Sequence, residues 1–144
     1  MISRDILGSV EVVKVVAPLD VTDNTAFVGA IINMADYVGG YYAIMSGVLA
    51  DAGAEWTVLL EESDASDLSS SNAVSDDDML PAGTGQEASA SFTQANDGVV
   101  KTIGYRGIKQ YHRLTLTPTN NASSGPFAIV WVGLKRNRGE VDGS

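Results

Sequence analysis

Two segments near the end of the chain have the side-chain patterns of β-strands, and they constrain the fold more than any other feature. Between Tyr111 and Thr117 the side chains alternate, so that His112, Leu114 and Leu116 share one face of an extended chain. Residues 127–134 are apolar on both faces, a pattern typical of an antiparallel strand with both faces covered. We expect the protein core to cover one face and a partner subunit to cover the other.

The rest of the chain alternates between short strand-like segments and turn sequences. Residues 10–16 are rich in β-branched side chains and predict a strand that ends at Pro18, with a short N-terminal helix as the alternative. No segment has the period of a convincing amphipathic helix, so the pattern predicts an all-β, jelly-roll-like antiparallel β-sandwich of about eight strands. Further strands are predicted over residues 26–32, 37–47, 56–61, 88–92 and 99–105.

The length of 144 residues predicts a single domain over residues 1–144, with flexible ends at 1–8 and 138–144. Residues 63–78 are rich in Ser, Asp and Asn and predict a long acidic loop, which we expect to be the most mobile region. The chain has no cysteine, which excludes disulfides, thiolate metal sites and cysteine nucleophiles. Stability must therefore come from packing or from assembly.

Charge is distributed unevenly along the chain. The net charge is −9, which argues against direct nucleic-acid binding because phosphate neutralisation needs a surplus of Lys and Arg. Residues 15–100 contain fourteen acids and no base, whereas residues 101–138 contain seven bases and no acid. The bases either pair with the chain's own acidic segment or dock on an acidic protein surface. The candidate docking residues are Arg106, Lys109, Arg113, Lys135 and Arg136.

The sequence offers little that resembles a catalytic, metal or cofactor site. His112 is the single histidine, and a lone strand histidine is more often a packing or surface residue than a general base. The acids between Glu61 and Asp78 lack the spacing of a calcium loop and predict a solvated acidic rim. We therefore expect no enzymatic activity, no cofactor and no metal. Neither a signal peptide nor a membrane span is apparent, so we expect a soluble protein without membrane partners.

Three stretches in series resemble a family of small tailed-bacteriophage proteins encoded near the major capsid protein, the capsid cement or decoration proteins. The first runs from Val21 through Asp36-Tyr37, and the second is Trp56 to Asp64. The third, residues 103–114, resembles the family's Gly-Tyr-x-Gly-x-Lys-Arg-Tyr-x-Arg signature. The chain departs from that signature at Gln110, where a base is usual, and at His112, where an aliphatic is common. The charge role of this segment is therefore weaker here.

The resemblance implies a jelly-roll sandwich on the outside of the phage capsid that cements neighbouring major capsid subunits. It implies a virion protein assembled in the host cytoplasm and a homo-oligomer, with a dimer favoured and a trimer possible. On this hypothesis the leading docking residues are Arg106, Lys109 and Arg113. The alternative is a β-sandwich binding module of a virion, for carbohydrate or a receptor, which would need exposed aromatic faces. The candidates for such faces are Tyr37, Tyr41, Tyr42 and Trp56.

Overall fold

The computed structural model describes residues 6–81 and 83–136. Within these ranges two antiparallel sheets pack as a sandwich, which confirms the predicted all-β, antiparallel β-sandwich. Of the predicted flexible ends, residues 1–5 and 138–144 lie outside the described residues. Residues 6–9 form a one-turn helix, α1 (Ile6–Ser9), immediately before the first strand.

Sheet 1 contains five strands, and each pairs antiparallel with its neighbours. Their spatial order is β1 (Val10–Asp20), β11 (Pro126–Lys135), β4 (Tyr37–Ser46), β9 (Val100–Tyr105) and β7 (Met79–Leu80).

Sheet 2 is built around two long strands, β10 (Tyr111–Thr119) and β5 (Glu55–Ser63), which pair along their whole lengths. Four two-residue strands complete it: β2 (Phe27–Val28) and β3 (Ile32–Asn33) on β10, and β6 (Asn72–Ala73) and β8 (Phe92–Thr93) on β5. The remaining elements are α2 (Gln86–Ala90) and three 3-10 turns at Met34–Asp36, Asp76–Asp78 and Gln94–Asn96.

The core lies between the two sheets and follows the period of two in the sequence. His112, Leu114 and Leu116 are buried, as their shared face predicts, while the alternate residues of β10 point outward. Phe127 and Trp131 of β11 are buried among aromatic rings, with Tyr42 at 5.0 Å from Trp131 between centroids. Burial of one such side chain contributes roughly 1.5–3 kcal/mol, so these two faces supply much of the stability.

Three predicted elements differ from the structure. A strand over 88–92 is wrong, because the alanines of that segment favour the helix α2, and extended chain begins only at Phe92. Strand β1 does not end at Pro18 but continues to Asp20, with register shifts on either side of Val16. Proline is tolerated there because β1 is an edge strand. The predicted strand over 26–32 consists of β2 and β3, separated by residues 29–31.

The described residues contain eleven strands, and the prediction was about eight. Five strands, including β6 within the predicted acidic loop, have only two residues each and are too short to show a period. The segment 63–78 also contains the 3-10 turn Asp76–Asp78. That segment is therefore not a single irregular loop, because β6 within it pairs with β5 of sheet 2.

Candidate functional site

The connection between β9 and β10 crosses from sheet 1 to sheet 2 and consists of residues 106–110, here called the crossing loop. Tyr105, the last residue of β9, is completely buried, and its hydroxyl donates a 2.6 Å hydrogen bond to Oε1 of Glu62 on β5. Burial, followed by the hydrogen bond to the Glu62 carboxylate, raises the pKa of Tyr105 above its ordinary range. The tyrosine thus stays neutral and holds the base of the loop between the sheets.

Both ends of the crossing loop are tied to other parts of the chain. The backbone N–H of Arg106 donates to the carbonyl of Asp78 at 2.8 Å, and its Nε donates to the carbonyl of Asp77 at 3.0 Å. Nζ of Lys109 lies 2.8 Å from Oδ2 of Asp64. This ion pair raises the pKa of Lys109 and lowers the pKa of Asp64, mainly through the hydrogen bond.

The C-terminal end of the crossing loop, at Gln110, is hydrogen-bonded to residues in and next to β3. The carbonyl of Gln110 accepts a 2.7 Å hydrogen bond from the backbone N–H of Met34, and its side-chain amide donates to Oδ1 of Asn33 at 3.2 Å. With these bonds the loop is held on both sides, and little conformational entropy remains to be lost if it binds a partner.

Gly107 is required by the packing under the loop. A Cβ atom at this position would lie 2.6 Å from Cζ of Tyr105 and 2.7 Å from Oε1 of Glu62, closer than real Cβ contacts. Gly104, two positions before the loop, is similarly close to Cβ of Leu80 on β7, at 2.8 Å. Both glycines are therefore fixed by close packing, Gly107 against Tyr105 and Glu62 and Gly104 against Leu80.

Ile108 stands at the tip of the crossing loop with 93% of its surface exposed. It borders a surface depression of about 420 Å³ whose lining includes Lys109, Gln110 and Arg136 from the chain segments that meet here. This isoleucine is an apolar side chain on a tethered loop, with polar groups around it. Sequence reasoning missed Ile108, although an aliphatic residue between Gly107 and Lys109 in a turn was a usable signal.

The predicted docking residues fall into two groups. Arg106 and Lys109 belong to the crossing loop, and Arg136 lines the adjacent depression, where it donates to the carbonyls of Ala35 and Tyr37. Lys135 precedes Arg136 at the exposed end of β11.

Arg113 does not join this group, because it lies half-buried on the outer face of sheet 2. Its guanidinium contacts Oε1 of Glu61 at 3.2 Å, directly across the β10 and β5 pair. Arg113 and Lys109 therefore each form an ion pair within the chain. Their partners, Glu61 and Asp64, belong to the acidic stretch of residues 15–100.

His112 is completely buried and cannot contact a substrate from this position. Its Nδ1 lies 2.7 Å from the hydroxyl of Tyr42, and its ring stacks on Tyr105 at 4.1 Å between centroids. Burial lowers the pKa of His112 to about 3, so the imidazole is neutral over the physiological range. Its role in the structure is that of a packing residue, the role favoured from the sequence.

Of the aromatics that a sugar-binding face would need, three are in the core and one is exposed. Tyr37, Tyr42 and Trp56 are buried, and Tyr41 is exposed on sheet 1. Residues 6–81 and 83–136 contain no group of three or more acids or histidines that could hold a metal ion. Within the same ranges, no helix has the length and apolar character needed to cross a membrane.

Comparison with protein-family models, with curated proteins and with solved structures finds no match to this chain.

Proposed function

We propose that the protein is a structural virion protein that binds the outside of a phage capsid and cements neighbouring major capsid subunits. The observation that carries the proposal is the fully exposed Ile108 on a loop that is tied at both ends. The segment that builds this loop, residues 103–114, is also the one that resembles the signature of the cement protein family. The resemblance and the geometry therefore point to the same surface.

The physical mechanism needs no chemistry beyond attachment. A protein that binds only the assembled shell adds its binding free energy to that of the lattice, and contacts that span two subunits oppose their separation. Many copies act together, so each contact can be modest. A preformed loop suits this role, because the ordering cost on binding is small.

In this proposal Ile108 is the anchor, and the bases around it form the rim that meets an acidic shell surface. Rim charges mainly accelerate and orient association, whereas a desolvated apolar anchor slows dissociation. We assign Arg113 to internal pairing with Glu61 rather than to the rim, since its guanidinium is half-buried on another face. We assign the rim to Arg106, Lys109, Lys135 and Arg136, of which Lys109 and Arg136 line the depression beside Ile108.

The test is co-sedimentation with capsids that lack the protein. Ile108→Asp should lower the affinity for shells by about tenfold or more, because it places a charge at the anchor. The matched control is Val48→Asp, which changes an aliphatic that is 70% exposed in the turn after β4. We expect this control to bind shells like the unmodified protein.

Two outcomes would overturn the proposal. In the first, the Ile108→Asp variant binds shells as tightly as the unmodified protein, which would show that the crossing loop does not contact the shell. The other is unmodified protein that stays in the supernatant while it binds glycans, which would favour the carbohydrate-binding alternative.

A further inference from the structure

Strand β1 lies at one edge of sheet 1, and with eleven residues it is the longest strand of the described chain. One side of β1 pairs with β11, and no strand within residues 6–81 and 83–136 pairs with its other side. On that unpaired side, the backbone N–H of Ala30 donates to the carbonyl of Val15 at 3.2 Å. Edge strands with free N–H and C=O groups are templates for pairing with another extended chain.

The hydrogen bonds at the end of β4 show which residues of sheet 1 point to which neighbouring strand. The backbone N–H of Ser46 donates to the residue before β9, whereas that of Gly47 donates to Pro126 of β11. Successive residues of a strand alternate in this way, so the odd-numbered residues of β4 bond to β11. Tyr41 is opposite Val132, and therefore Val132 bonds to β4 while its two neighbours in β11 bond to β1.

The register of β1 on β11 then gives the direction of each backbone group in β1. Trp131 is one of the residues that bond to β1, and its opposite residue is Val13. The residues on either side of Val13, which are Val12 and Lys14, therefore direct their N–H and C=O groups to the unpaired side. Within the described residues no hydrogen bond from outside β1 reaches these groups, which we call the open edge of β1. Both side chains are exposed.

The open edge is short, because the chain on either side of it cannot pair. Before it, residues 6–9 are helical rather than extended. After it, the register shifts on either side of Val16 distort the strand, and Pro18 has no N–H to donate. Natural edge strands use such features to prevent pairing, and here they leave residues 10–14 unprotected. The open edge therefore fits an extended segment of about five residues, roughly 17 Å long.

The position and the charge of the open edge indicate its partner. Val10 is opposite Leu134 of β11, and the next residue of β11 is Lys135, which belongs to the rim. The open edge thus begins about 4.8 Å, one strand spacing, from the rim. A second copy of this chain would bring a net charge of −9 toward the same charge, which opposes its approach. A segment of the shell that contacts the rim is therefore the favoured partner.

We infer that the open edge of β1 binds an extended segment of the shell protein by strand addition. The inference rests on the proposed function and adds a second contact, separate from the anchor Ile108. Backbone hydrogen bonds provide the attraction, so this contact depends little on the charge of the Lys14 side chain. The segment has no proline opposite the open edge, and an apolar side chain beside Val12 matches that valine, which is 60% exposed.

Hydrogen–deuterium exchange at single-residue resolution tests the inference on the unmodified protein. In the free protein the amide of Val12 should exchange quickly, and that of Val13, which bonds to β11, should exchange slowly. With saturating capsids that lack the protein, we expect the Val12 and Lys14 amides to exchange about tenfold more slowly or less. The amide of Thr102 is the internal control and should keep its rate, because it lies in β9 beyond the end of β7.

Proline substitution tests the same N–H group by removing it. Val12→Pro should keep the fold, because proline is tolerated where the N–H of an edge strand faces away from the sheet. It should lower the affinity for shells in co-sedimentation by about tenfold or more, since the incoming segment loses a donor and meets the proline ring. Thr102→Pro is the matched control and should bind shells like the unmodified protein. Near-ultraviolet circular dichroism verifies the fold of both variants.

Shell binding without protection of the Val12 and Lys14 amides would overturn the inference, as would full binding by a folded Val12→Pro. If Val12→Pro does not fold, the exchange rates of the unmodified protein on shells decide alone. Protection of the Val12 amide in concentrated protein without shells would assign the open edge to a second copy, which also overturns the inference. These failures leave the shell-binding proposal standing, because it is tested through Ile108, whereas protein that does not bind shells at all overturns both.

Discussion

The hydroxyl of Tyr105 donates a 2.6 Å hydrogen bond to Oε1 of Glu62, and this bond joins sheet 1 to sheet 2 at the base of the crossing loop. The two residues are 43 positions apart in the sequence. Because the Glu62 carboxylate is half-buried, loss of its donor leaves a partly desolvated charge without compensation.

We predict that Tyr105→Phe lowers the free energy of unfolding by about 1.5–3 kcal/mol, the range for hydrogen bonds to charged groups. The control is Tyr111→Phe, whose hydroxyl makes an exposed contact with the Gln110 amide and should cost about 0.5 kcal/mol or less. Urea unfolding followed by tryptophan fluorescence measures both, since Trp56 and Trp131 are buried. Equal losses in the two variants would contradict the structural role of the Glu62 bond.

Gly107→Ala should destabilise the protein by roughly 1–3 kcal/mol, because its Cβ has to displace Tyr105 or Glu62. Gly39→Ala is the matched control, since nothing lies within 4 Å of the Cβ that it would add. We expect the control to be neutral or slightly stabilising, because alanine restricts the unfolded chain. Thermal unfolding of the two variants separates these outcomes, and a neutral Gly107→Ala would show that the loop is not close-packed.

The stability of the protein should fall as pH decreases from about 6.5 toward 3, through the buried His112. Its folded-state pKa is about 3, below the ordinary value of 6.5, so in this window the unfolded chain binds a proton that the folded chain does not. From this one group the loss of unfolding free energy approaches about 1.4 kcal/mol per pH unit.

The measurement that isolates His112 is urea unfolding of matched variants at about pH 7 and about pH 5, where carboxylates with ordinary pKa values are mostly ionised. His112→Phe should show a smaller loss between the two pH values than the unmodified protein. Tyr42→Phe, which keeps the imidazole and removes the hydroxyl that contacts it, should retain the larger loss. Identical pH dependence in all three proteins would show that another group is responsible.

Lys135→Glu should slow association with shells and reduce the salt dependence of binding, because rim charges act mainly on the encounter. The dissociation rate should change less than the association rate. Lys14→Glu, a charge reversal on the outer face of sheet 1, is the control for net charge and should have a smaller effect on association. Surface plasmon resonance on immobilised shells gives both rates, and an unchanged association rate for Lys135→Glu would exclude it from the rim.

The long strands could be predicted from sequence because their patterns cover many residues, a period of two in residues 111–117 and an apolar run in residues 127–134. The predicted segments 111–117 and 127–134 lie within β10 (Tyr111–Thr119) and β11 (Pro126–Lys135). The two-residue strands could not be predicted, since a pair of residues has no period and its extended form depends on the strand beside it. The opposite error occurs before Phe92, where a strand was predicted. The helix propensity of the alanines there favours α2 instead.

The candidate site was only partly predictable, for a related reason. The charge distribution indicates Arg106, Lys109, Arg113, Lys135 and Arg136 as candidates, and of these Arg106 and Lys109 lie in the crossing loop. The anchors that fix the loop connect residues far apart in sequence, such as Lys109 to Asp64 and Tyr105 to Glu62. Such contacts follow from which strands become neighbours across the sandwich, and a single sequence does not determine that arrangement.

We propose that the protein stabilises an assembled shell by attaching to it. The most direct measurement is the temperature at which capsids lacking the protein disassemble, followed by light scattering with and without saturating protein. We predict a higher disassembly temperature with the unmodified protein and no increase with Ile108→Asp. An unchanged disassembly temperature at full occupancy of the shells would contradict the claim.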